Sequence, residues 1–201
     1  MNIVQQGGLM MWPLLVVSVV ALGVILERFV VISTTRFPAL RVLSALRDDI
    51  QDSKAAQLPS DIADRYPAFV PFFEALLFEE CSKSQREATA QAAGEEILFR
   101  LNRGLDLLST LSNVAPLMGL LGTVIGMISA FSTLAASSDV DISLLAGGIW
   151  QALLTTATGL AIAIPTLLAH RWFLRQQEKV AHAMQVGAAY LLEAFHEDDA
   201  L

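Results

Sequence analysis

Charge is missing from long stretches of this 201-residue chain. No Asp, Glu, Lys or Arg occurs between Asp106 and Asp139, nor from Ile142 to Ala169. Each stretch exceeds the ~20 apolar residues that cross a bilayer. Cysteine is nearly absent too: Cys81 stands alone, so no internal disulfide can form and an ordinary thiol in a reducing compartment is expected. The three histidines, His170, His182 and His196, have no metal-ligand spacing. No phosphate-cradling glycine loop and no Ser/His/Asp grouping occurs, so neither a metal, a cofactor nor an enzyme is expected. A net charge of −7 and a pI near 4.9 argue against nucleic acid as a partner.

Apolar residues make up 54% of the chain and mean hydropathy is +0.55, which favours a membrane protein over a globular one. Three spans are expected, at residues 10–32, 106–136 and 142–169. The second is long enough to tilt or protrude. The first has no Lys or Arg before it and is too long for the core of a secretory signal, so it is expected to remain as a membrane helix. All thirteen Lys and Arg fall in Arg28–Arg103 and Arg171–Lys179. The positive-inside rule therefore places residues 33–105 and 170–201 in the cytoplasm, and residues 1–9 and the 137–141 loop, with Asp139 and Asp141, on the other side. The fold expected is an all-α membrane protein with three transmembrane helices, the second and third continuing into the cytoplasm as long helices.

Between the first two spans, residues 33–68 are polar and broken by Pro38, Pro59 and Pro67. One helix at about residues 39–57 and a turn-rich link are expected there. From Pro71 no proline recurs until Pro116, and Leu98, Leu101, Leu105 and Leu108 keep helical spacing. This pattern predicts one unbroken helix of roughly 45–60 residues running into the second span. After His170 the tail reads as a helix prolonging the third span, with an acidic end at Glu197–Asp199.

The spans are not inert. Gly119, Thr123, Gly126 and Ala130 have the same spacing as Ala152, Thr156, Gly159 and Ala163, which places each set on one helical face. Gly119, Gly122, Gly126 and Gly159 are candidate helix-packing positions, and the hydroxyls can either bond across a helix contact or line a wet path. With Ser112, Thr155 and Thr158 nearby, the lining reading gains weight, and its candidate wall residues are Thr123, Thr156, Ser112 and Gln151. Gln151 could equally bond a neighbouring helix or lie hydrated near the outer end. Pro116 and Pro165 are expected to kink their helices, freeing the carbonyls of Ser112 and Ala161. Glu27 and Arg28 are expected at the inner interface, with Arg28 reaching toward headgroups. No ionisable residue sits mid-span, so a proton path here would need a carboxylate from another polypeptide.

Two strings, Asn113-Val-Ala-Pro-Leu-Met-Gly-Leu-Leu-Gly-Thr-Val-Ile-Gly126 and Gly148-Ile-Trp-Gln-Ala-Leu-Leu-Thr-Thr-Ala-Thr-Gly-Leu-Ala-Ile-Ala-Ile-Pro165, resemble the ExbB/TolQ/MotA proton-channel family, closest to its ExbB/TolQ branch. The resemblance covers all three spans and implies an inner-membrane subunit driven by the proton-motive force. It further implies five copies around an ExbD- or TolR-like single-span partner bearing a membrane Asp, and a TonB- or TolA-like protein that carries the work outward. Thr123 and Thr156 match the family's pore threonines. Gln151 stands where the ExbB/TolQ branch generally has Glu. Three spans set the chain apart from MotA-like stators, which have four. A TolQ-like role, a non-conducting scaffold and a channel that opens without a partner are the alternatives.

Overall fold

The computed structural model describes residues 7–53, 58–77, 82–136 and 142–194. Residues 1–6, the 137–141 loop, Cys81 and the acidic end with His196 lie outside the described residues. Among those described there is no strand. The helices are α1 (Met11–Thr34), α2 (Leu40–Ser53), α3 (Ser60–Arg65), a 3-10 turn (Pro67–Phe69), α4 (Val70–Leu77), α5 (Lys83–Asn102), α6 (Leu105–Ala136) and α7 (Ile142–Ala194). Helices α1, α6 and α7 are long and apolar enough to cross a membrane. The protein is an all-α membrane protein.

The chain divides into two compact units, residues 1–28 with 104–172, and residues 29–103 with 173–201. The first holds most of α1, all of α6 and the first half of α7. Pro13 sits in the opening turn of α1, where helix N–H groups have no intrahelical acceptor. Pro116 and Pro165 lie inside α6 and α7, yet both helices continue past them. Along α6 one face is closed: Leu105, Leu108, Ser112, Ala115 and Ala130 are all buried.

The second unit has an ordinary apolar core built from Leu43, Leu46, Ile62, Ile97, Leu101, Met184 and Leu191 around an aromatic cluster. Phe37 meets Phe69 edge-on with centroids 5.1 Å apart and stacks on Phe73 at 5.8 Å, and Phe72 meets Phe73 edge-on at 5.5 Å. Gly187 lets Phe37 approach α7, since a Cβ there would lie 3.1 Å from the ring. The Gln177 amide donates to the Leu98 carbonyl at 3.2 Å, tying α7 to α5. The Arg47 guanidinium lies 4.8 Å over the Tyr190 ring, a cation–π pair.

The unbroken helix expected from Pro71 through the second span is not what forms. Ser82 starts α5 afresh with a capping box: its hydroxyl accepts from the Gln85 N–H, and the Gln85 side chain accepts from the Ser82 N–H. At the other end, Gly104 has φ +83, the left-handed conformation that glycine adopts without penalty and that ends helices. Ser82→Ala should cost about 1 kcal/mol of local stability. The backbone amides of Lys83–Arg86 should then exchange with deuterium several-fold faster while the rest of α5 is unchanged.

Candidate functional site

The first unit contains the residues singled out as a polar wall. Its organising feature is the crossing of α6 and α7, which is built on glycine. A Cβ on Gly159 would lie 2.6 Å from the Ala115 carbonyl oxygen, and one on Gly119 would lie 3.0 Å from Thr156 Cα. A Cβ on Gly122 would strike the Thr155 hydroxyl, and one on Gly126 would press on Ala152. Gly148 is equally tight against Ala130. Backbones brought this close let hydroxyls bond across the contact. Thr156 Oγ1 donates to the Gly119 carbonyl at 3.0 Å. Thr155 is 1% exposed and donates to its own Ala152 carbonyl at 2.7 Å, with a longer reach of 3.4 Å to Gly119.

The four expected wall residues therefore do not stand alike. Thr156 is half-buried at the edge of the crossing. Thr123 is half-buried on the other side of the α6 glycines, donates to the Leu120 carbonyl at 2.6 Å, and borders an open groove with Val124, Met127, Ile128 and Phe131. Ser112 is buried and donates to the Ser109 carbonyl at 2.8 Å. Gln151 points its amide at Gly8, where φ is +70 and any side chain would collide with it. Of its two open readings, the structure displays a contact with the turn that leads into α1. Gly148 was missed as a tight position, although it extends the strip of small residues by one more turn before Ala152.

At the inner end, Arg28 does not reach outward. It is buried, pairs with the Glu27 carboxylate, and lies beside Gly104, where a Cβ would be 3.7 Å from its Nε. A Cβ there would only touch the guanidinium, so it is the positive φ of Gly104 rather than lack of space that calls for glycine. His170, one residue past the expected third span, has its pKa held below the ordinary imidazole value. Burial is the main cause, Arg171 adds to it, and the Asp106 carboxylate opposes it. Among the described residues no group of His, Cys, Asp and Glu could hold a metal ion.

The chain matches a known family model, described as the MotA/TolQ/ExbB proton channel family, over residues 70–186. The chain belongs to that family. Biopolymer transport protein exbB1 of Vibrio cholerae is 33% identical over 189 residues, covering 90% of this chain and 83% of the relative. An ExbB-like biopolymer transport protein of Synechocystis sp. is 33% identical, covering 91% and 74%. Biopolymer transport protein ExbB of Salmonella typhimurium is 29% identical, covering 87% and 82%. The family match spans α4, α5, α6 and most of α7, so it includes the whole glycine crossing as well as Thr123 and Thr156.

Proposed function

We propose that this chain is the wall-forming subunit of an ExbB-type energiser in the bacterial cytoplasmic (inner) membrane, driven by the proton-motive force. Its N-terminus faces the periplasm and residues 33–105 and 170–201 the cytoplasm. Several copies, five by resemblance, surround a single-span ExbD-like partner whose Asp is the titrating group, and a TonB-like protein transmits the work. The observation that carries this reading is Thr123. It is a hydroxyl on the open side of α6, within an acid-free span, in a member of a proton-channel family. A wall without an ionisable residue solvates a proton in transit through water and hydroxyls, and leaves the titration to whatever stands opposite. The ExbB-type role is favoured over a TolQ-type one because the compared relatives carry the ExbB name.

The test is proton uptake by liposomes containing this chain with its single-span partner, under an imposed membrane potential. Thr123→Val should lower partner-dependent uptake by at least about tenfold, equivalent to ~1.4 kcal/mol on the barrier. A complex that assembles normally but shows no potential-dependent uptake even with Thr123 intact would instead identify a scaffold.

A further inference from the structure

On α6 three polar residues of the inner half, Asp106, Ser109 and Asn113, fall in line with Thr123. Positions 106, 109, 113, 116, 120 and 123 recur every three or four residues and so share a face. None of these six is buried, whereas the adjoining face at Leu105, Leu108, Ser112, Ala115, Gly119 and Gly122 is closed. The inner half of this open face carries Asp106, Ser109 and Asn113. Across the helix, Val114, Leu121 and Ile125 are exposed and aliphatic, with Thr110 one turn before Val114 at the inner end.

Asn113 is the decisive residue. It is exposed, and one amide N–H donates to the Ser109 carbonyl at 2.9 Å. Its second N–H and its carbonyl oxygen still need partners. In hydrocarbon an unsatisfied amide costs roughly 4–8 kcal/mol. Asn113 lies seven residues, about 10 Å, deeper into the span than Asp106, and its short side chain cannot reach headgroups over that distance. The face bearing Asn113 therefore cannot be the one turned to lipid, while the Val114/Leu121/Ile125 strip can.

We propose that Ser109 and Asn113 continue the wet wall inward from Thr123, and that Asp106 forms its cytoplasmic mouth. This rests on the reading of Thr123 given above and adds residues to it. A proton carried by water along this face passes Asn113 and Ser109 and reaches bulk water beside the Asp106 carboxylate. His170 of α7 lies close enough to Asp106 for the carboxylate to act on the imidazole.

Single cysteines in a Cys81→Ser background test this in the complex with the single-span partner. A charged, membrane-impermeant methanethiosulfonate reagent is applied to inverted vesicles. A thiol reacts through its thiolate, which needs water, so Asn113→Cys should be modified at least about tenfold faster than Val114→Cys or Leu121→Cys. In a second measurement, Asn113→Leu should lower proton uptake about tenfold while Asn113→Ser stays within about twofold of the parent. Equal reactivity at positions 113, 114 and 121, or full uptake in Asn113→Leu, overturns the proposal. If Thr123→Val still abolishes uptake in that case, the proposed function stands and only the inner wall is wrong.

Discussion

Gly159→Val should drive α6 and α7 apart and unfold the first unit at a markedly lower temperature. The first carbon of the new side chain already meets the Ala115 carbonyl oxygen at 2.6 Å, with Gly119 Cα at 3.1 Å behind it. Both obstacles are backbone, so no rotamer change relieves them. Overpacking a well-fitted contact costs about 1–3 kcal/mol and more where nothing can yield. The upper end applies here, because separating the helices also breaks the Thr156 bond to Gly119. Thermal unfolding of the purified complex in detergent measures the loss. Gly23 and Gly147 provide controls, since a Cβ at either meets nothing within 4 Å. Valine there should leave the transition almost unmoved. A Gly147→Val protein as damaged as Gly159→Val would mean that the crossing is not what holds these helices.

Thr156→Val should nearly abolish energy-dependent transport while leaving the protein at normal abundance. The exchange preserves shape and removes one hydroxyl, and with it the 3.0 Å bond to Gly119. Interhelical bonds of this kind in membranes contribute about 0.6–2 kcal/mol, too little to unfold a helix pair that keeps its glycine packing. A tenfold or greater fall in uptake at unchanged abundance therefore reports a hydroxyl used in proton transfer rather than one that only joins helices. Thr156→Ser keeps the oxygen and should retain most of the activity. Full uptake by Thr156→Val would assign this threonine to packing alone, leaving Thr123 as the wall residue of the pair.

The three apolar helices were legible because hydrophobic content and absence of charge act over twenty residues and are not masked by local detail. All three expected spans fall on helices long and apolar enough to cross a membrane. The break between α5 and α6 was not foreseen. An isolated glycine is tolerated inside a helix, and only the left-handed backbone at Gly104 distinguishes a stop from a pause. Ser82 and Gln85 have the Ser-x-x-Gln spacing of a capping box, which marks the start of α5 in the sequence itself. The aromatic cluster around Phe37 was hidden for another reason: Phe37 lies in the segment read as polar and turn-rich, Phe72 and Phe73 lie in the stretch read as helix beyond Pro71, and they come together only in three dimensions. Within the site, spacing put Gly119 and Gly126 on one face of α6 and Ala152 and Gly159 on one face of α7, and these residues meet at the crossing, whereas Thr123 of the same set does not. Adjacent residues lie about 100° apart around the helix, and it is Thr155, outside the strip of small residues, that is enclosed, while Thr156 on the strip stays half-buried.

The glycine crossing also bears on heredity. Every one-nucleotide change that alters a glycine codon's meaning introduces a side chain of at least one carbon, or a stop. At Gly159, Gly122 and Gly148 even that first carbon has nowhere to go. These codons have no mild missense neighbour, and random mutagenesis of the chain should recover null alleles there in preference to partial ones.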